Sequence, residues 1–206
     1  MIVCLGWGSL IWNPGDLPIK GGWQADGPVL PLEFARQSGE RHITLVVCES
    51  GTPCTCLWAE LDVPDVEAAR SALKTRERLP STRNAAYWSP GDRSDHFGGE
   101  IIEAWAIGRK LDGVVWTGLP PKSPATEKNH DFPSADVVLE HLKALDGEAR
   151  VKAEEYVRRA PPKVRTPIAL ASRRSLIGCP RTDVPWDKYG TLGSRFGRQR
   201  ATYGDN

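Results

Sequence analysis

The chain has 206 residues, of which 40% are hydrophobic and 26% charged, enough for one domain with a sizeable core. Lys and Arg total 27 against 26 Asp and Glu, a formal charge of +1, so no global field draws the chain to nucleic acid or to an anionic membrane. No apolar run approaches the roughly 18 residues of a membrane span, and the N-terminus lacks the basic and long apolar segments of a secretory signal.

Ile2 through Leu5 is a short apolar run ending at Gly6-Trp7-Gly8, which reads as a buried strand and a glycine turn. Asn13-Pro14-Gly15 is a second turn signal. His42 through Cys48 is rich in β-branched residues and predicts a strand, Ser50 to Pro53 turns the chain, and Thr55 through Leu61 predicts a second strand in a hairpin with the first. Asp62-Val63-Pro64-Asp65 has the marks of a helix start, and that helix should run to about Arg78, with Pro80 helping to end it. Ile101 to Ile107 and Gly113 to Thr117 are strand candidates separated by a turn. Residues 118–133 are polar and proline-rich and predict a loop. Ser134 can cap a helix from Ala135, with Val138, Leu139, Leu142 and Leu145 as its apolar stripe. A more charged helix is predicted from Glu148 to Arg159, and a last strand over Val164 to Leu170.

From Ser172 onward the chain is rich in Gly, Arg and polar residues and reads as a C-terminal extension of a single domain, 1–206. Its basic stretch Ser194 to Arg200 reads first as a solvated tail, and second as a phosphate or partner contact. Of the five cysteines, Cys4 and Cys48 lie in apolar runs, and Cys54-Thr55-Cys56 has no partner pair at zinc spacing. Structural thiols in a reduced, cytoplasmic protein are therefore expected. Most of the eight tryptophans, Trp7 and Trp12 among them, should be core or pocket walls.

The chemistry begins at Leu5-Gly6-Trp7-Gly8-Ser9-Leu10. Small residues directly after a strand let consecutive N–H groups point into one concave space, where they can hold a carboxylate or carbonyl oxygen. The third glycine and following helix of a dinucleotide fingerprint are missing, and there is no P-loop lysine. The longer stretch Gly6-Trp7-Gly8-Ser9-Leu10-Ile11-Trp12-Asn13-Pro14-Gly15 resembles the opening of the γ-glutamylcyclotransferase-like superfamily, the ChaC type in particular, with Trp7 where tyrosine is usual. The resemblance is strong over these ten residues, weaker to Arg78, and fades beyond. It implies an α+β fold, a mixed barrel or sheet with flanking helices. It also implies that the amides of Gly8, Ser9 and Leu10, beside Trp7, hold the γ-glutamyl part of a substrate.

That superfamily uses one glutamate as general acid and base at the end of a helix. Leu73-Lys74-Thr75-Arg76-Glu77-Arg78 matches the context, so the resemblance implies this role for Glu77. Independently, Val66, Ala69, Leu73 and Glu77 follow one another at helical spacings of three and four, which pushes the carboxylate toward the core and should raise its pKa. The competing expectation is an ion pair with Arg76, Arg78 or Arg83. The chain departs from the ChaC pattern after Glu77, where Arg78-Leu79-Pro80-Ser81 replaces glycine and tyrosine. Glu33, Arg36 and Arg41 fall near the predicted sheet edge, and Arg36 could face a substrate carboxylate.

The four histidines are scattered, with no hydrolase or zinc spacing. Asp92, Asp95 and His96 could cluster in a loop. The expectation is thus an amide-cleaving lyase or cyclotransferase that closes a γ-glutamyl amine or peptide to 5-oxoproline. It would need no metal or cofactor, and would have a small-molecule partner rather than membrane or nucleic acid. The alternatives are a non-catalytic ligand-binding module of the same fold, or nucleic-acid contact through the basic tail.

Overall fold

Ile2–Gly6 is β1, and its five residues are all buried, as befits an apolar run in the centre of a sheet. The structure is a computed structural model that describes residues 1–160 and 166–177. β1 runs antiparallel to β6 (Leu57–Leu61) and parallel to β8 (Gly113–Thr117). β2 (Ile19–Gln24) and β7 (Ala85–Trp88) complete a five-stranded sheet in the order β2-β6-β1-β8-β7. A second sheet has β3 (Val29–Gln37) in the middle, flanked by β4 (Ile43–Val47) and β5 (Thr52–Thr55), all antiparallel.

The larger sheet is buried on both faces. Alternation along β1 sends Ile2 and Cys4 into a core with Ala69 and Leu73 of α1 (Val66–Glu77). Val3 and Leu5 enter the opposite core with Leu30, Leu32 and Phe34 of β3 and with the later helices. Those helices are α2 (Gly99–Gly108), α3 (Ala135–Lys143), α4 (Gly147–Arg159) and α5 (Pro167–Ile177).

The α+β class expected from the sequence holds, but among the described residues there are two open sheets rather than a closed barrel. Three local expectations are corrected. His42–Cys48 and Thr55–Leu61 do not form a hairpin: β4 and β5 each pair with β3, and the chain changes sheets at Cys56, whose amide donates to Pro28 O at 3.0 Å. Ile101–Ile107 is helix, not strand. Ile102 and Ala106 are buried while Ile101 and Ile107 face water, a spacing of four that suits a helix. Pro167–Leu170 is also helical, with Ile168 and Ala169 buried. Residues 164 and 165 of that expected strand lie outside the described residues. Ser172, where the sequence placed the start of an extension, is buried within α5, and residues 178–206 lie outside the described residues. The basic stretch 194–200 lies outside the described residues.

Other expectations hold. Ser134 caps α3 through the Val137 amide, whereas α1 starts later than its signal implied, with Pro64 outside the helix and Asp65 as the cap, accepting the Ala68 amide at 2.8 Å. Residues 118–133 form a loop, pinned to β3 where Lys122 N donates to Ala35 O at 2.9 Å. The four described cysteines are buried, and burial pushes the Cys48 thiol up to about 11. Among the described residues no helix is long and apolar enough to cross a membrane.

α1 ends on Arg78 in the left-handed region, φ 50° and ψ 43°, its amide closing on Lys74 O and Thr75 O. A side chain there costs about 1 kcal/mol that glycine avoids. Arg78→Gly should therefore raise the unfolding free energy by about 0.5–1 kcal/mol, visible as a higher Tm. An unchanged midpoint would mean that the cap is unstrained.

Candidate functional site

β1 ends at Gly6, where only glycine fits: a Cβ there would stand 2.7 Å from the Trp23 ring. The chain then turns. Ile11 N donates to Gly8 O at 3.0 Å and Asn13 N to Ser9 O at 2.9 Å. The buried Trp7 ring anchors the turn by donating its Nε1–H to Leu45 O of β4 at 3.3 Å. Among the described residues, the amides of Gly8, Ser9 and Leu10 find no acceptor. Among the described residues three successive donors are thus unspent, a small anion-seeking surface.

Glu77 is the last residue of α1. The packing of Ala69 and Leu73 against the large sheet carries it inward. Arg76 reaches back across Gly15, where its Nε donates to Asn13 O at 2.9 Å, and its Nη1 donates to Glu77 Oε1 at 2.9 Å. The ion pair and the inward carboxylate, set against each other as readings of the sequence, are both present. Burial raises the Glu77 pKa above the ordinary glutamate range, and Arg76 opposes the shift without cancelling it.

Trp7, Gly8, Ser9, Leu10, Arg36 and Glu77 all line one cavity of about 70 Å³. These six residues, assigned to the site from the sequence, thus border one space. Arg36 arrives from β3, just past an irregularity in its pairing with β4. One of its guanidinium nitrogens, Nη1, donates to Pro120 O at 2.7 Å and to Asn129 Oδ1 at 3.1 Å. Among the described residues no carboxylate pairs with Arg36, and burial lowers its pKa. A half-buried cation without a counter-charge at a cavity wall is a place for an anion.

Glu33 and Arg41 do not join this site. β3 is the central strand, not an edge. Glu33 is 2% exposed and accepts from the Thr166 hydroxyl and the Phe34 amide, with burial raising its pKa. Arg41 lies in the β3–β4 connection with φ 67°. Asp92, Asp95 and His96 do not close into one cluster: Asp92 accepts from the Ser89 hydroxyl, while Asp95 and His96 line a separate wide cleft.

That cleft, about 960 Å³, shares Thr117 and Leu119 with the small cavity, and Arg36's acceptors Pro120 and Asn129 line it. The small cavity has room for a small polar group, and the cleft adjoins it at Thr117 and Leu119. Tyr156, on α4, is the functional candidate that sequence reasoning missed. Its place on the buried stripe Ala153, Tyr156 and Val157 was legible, but not the cavity its hydroxyl would reach.

No protein-family model matches the chain, and no curated protein matches it.

Proposed function

We propose that the chain is a γ-glutamylcyclotransferase-like enzyme, converting a γ-glutamyl amine or peptide to 5-oxoproline with release of the amine. The observation that carries this reading is the meeting, at one small cavity, of Arg36, a cation with no acidic partner among the described residues, and a half-buried carboxylate, Glu77, beside three amides that find no acceptor among those residues. Such a cavity complements an amino-acid head: Arg36 for the α-carboxylate, Glu77 for the α-ammonium, the amides of Gly8, Ser9 and Leu10 for the γ-carbonyl oxygen.

The step balances without another reactant. Glu77 removes a proton from the α-ammonium, and the freed nitrogen attacks the γ-carbonyl carbon to form the C–N bond of the five-membered ring. The carbonyl oxygen takes up charge facing the turn amides. Glu77 then delivers its proton to the leaving nitrogen as the old C–N bond breaks, and the ring nitrogen gives up its second proton through Glu77 to the released amine, which departs as an ammonium. Attack within one molecule leaves the protein mainly the tasks of orientation and proton transfer. The raised pKa makes Glu77 a stronger base than an exposed glutamate. The proposed fold is the γ-glutamylcyclotransferase-like one. The Arg78 backbone keeps the left-handed conformation that glycine favours at a position where that superfamily carries glycine, which supports carrying the likeness through Glu77.

The test is a panel of γ-glutamyl amides assayed for 5-oxoproline, each beside its analogue lacking the α-carboxylate. Amides with the carboxylate should turn over, and Arg36→Gln should raise their KM roughly tenfold to a hundredfold while leaving the weak analogues unaffected. Absence of 5-oxoproline across the panel would reject the reading. A second reading, ligand binding without turnover, draws on the ion pair that holds Glu77 to Arg76. Thermal stabilisation by panel members without product would favour it.

A further inference from the structure

The Tyr156 ring is 6% exposed, set edge-on to Trp12 with centroids 5.5 Å apart and to Phe34 at 6.1 Å, and tilted against His42 at 5.4 Å. Its hydroxyl oxygen accepts the Leu45 amide at 3.2 Å. Among the described residues nothing accepts the hydroxyl's own proton. The oxygen stands directly over Gly8, where a Cβ would lie 2.2 Å from it, and Tyr156 lines the cavity that Glu77 and the turn share. A phenol whose accepting side is filled by the backbone, and whose donating side is unspent, points its donor at whatever occupies the cavity.

The geometry points to Tyr156 as a fourth donor of the oxyanion site, giving its O–H hydrogen bond to the γ-carbonyl oxygen alongside the amides of Gly8, Ser9 and Leu10. This rests on the ring-closing reading above. The bond strengthens as the oxygen becomes an alkoxide during ring closure, so Tyr156 acts on the transition state more than on substrate binding. Burial holds the phenol protonated far above neutral pH, so the donor is present throughout the working range. The turn and Glu77 come from the first half of the chain. Tyr156 makes α4, beyond the stretch where the resemblance is strong, part of the chemistry.

Two variants are measured on the best substrate of the γ-glutamyl panel. Tyr156→Phe keeps the ring contacts and removes the donor. It should lower kcat by about a hundredfold with KM nearly unchanged. Because Tyr156→Phe also strips the Leu45 amide of its acceptor, 3-fluorotyrosine is placed at position 156 as the second variant. It keeps shape and acceptor while making the phenol a stronger donor. A purely structural tyrosine would leave kcat unmoved by fluorination, whereas an oxyanion donor shifts it. Wild-type kcat in both variants overturns the proposal and leaves the ring-closing reading intact. If the wild type itself forms no 5-oxoproline, binding of 5-oxoproline is compared by calorimetry. Tighter binding by wild type than by Tyr156→Phe sustains the Tyr156 contact while the catalytic reading falls, and equal binding overturns both.

Discussion

Glu77→Gln should lower kcat/KM for a γ-glutamyl amide by about a thousandfold, the scale of losing a positioned general base, while leaving the protein no less stable at neutral pH. The two effects share one cause. The carboxylate is half-buried at the end of α1, and although Arg76 donates to it, desolvation wins and its pKa is raised. A folded-state pKa above the unfolded value means that the native protein binds this proton more tightly. The favourable contribution is complete below the unfolded pKa and is lost as pH rises through the folded one. Once ionised, the carboxylate is therefore a stability cost that the neutral amide lacks, and Gln can still accept the Arg76 hydrogen bond. Thermal melts of wild type and Glu77→Gln should converge on acidification and separate toward neutrality, with the variant higher. The kcat/KM of the wild type should rise with pH through a group above the usual glutamate range. A variant that keeps wild-type kcat/KM would remove Glu77 from the chemistry.

Gly8→Ala is expected to cost about 1–3 kcal/mol of stability and most of the activity. The new methyl would lie 2.2 Å from the Tyr156 hydroxyl and 3.1 Å from Cζ. The phenol cannot step aside, being wedged among Trp12, Phe34 and His42 and tied to the Leu45 amide. Either the turn lifts away from α4, spoiling the donors that face the cavity, or the ring moves and Leu45 N–H loses its acceptor. Denaturant unfolding of Gly8→Ala, Tyr156→Phe and the double variant measures the coupling. The alanine should cost less in the phenylalanine background, by about 0.5–3 kcal/mol. Equal cost in both backgrounds would mean that the two residues do not meet.

The parts of this protein legible in its sequence are those governed by short-range rules. The glycine turn after β1, a helix start within Asp62 to Asp65, the helical spacing that carries Glu77 inward behind Leu73, and the Ser134 cap each depend on neighbours within a turn or two of chain. Where two short-range patterns compete, reading fails. Ile101 to Ile107 is apolar enough for a strand, and it is the burial of Ile102 and Ala106 alone, with Ile101 and Ile107 exposed, that marks it as a helix.

Partnership across long separations was not in the local pattern. Nothing near Thr55 says that the chain will change sheets at Cys56, nor that β3 will lie between β4 and β5. The site divides along the same line. The sequence alone set out the turn amides, Glu77 and the candidate cation Arg36. The tertiary structure alone brought them to one cavity, stripped Arg36 of any acidic partner among the described residues, and laid the Tyr156 hydroxyl over Gly8. Backbone turns and helix faces are decided by steric and hydrogen-bonding rules acting over a few residues. Convergence of side chains from β1, β3, α1 and α4 is decided by how the whole chain buries its apolar surface, a quantity that no single segment carries.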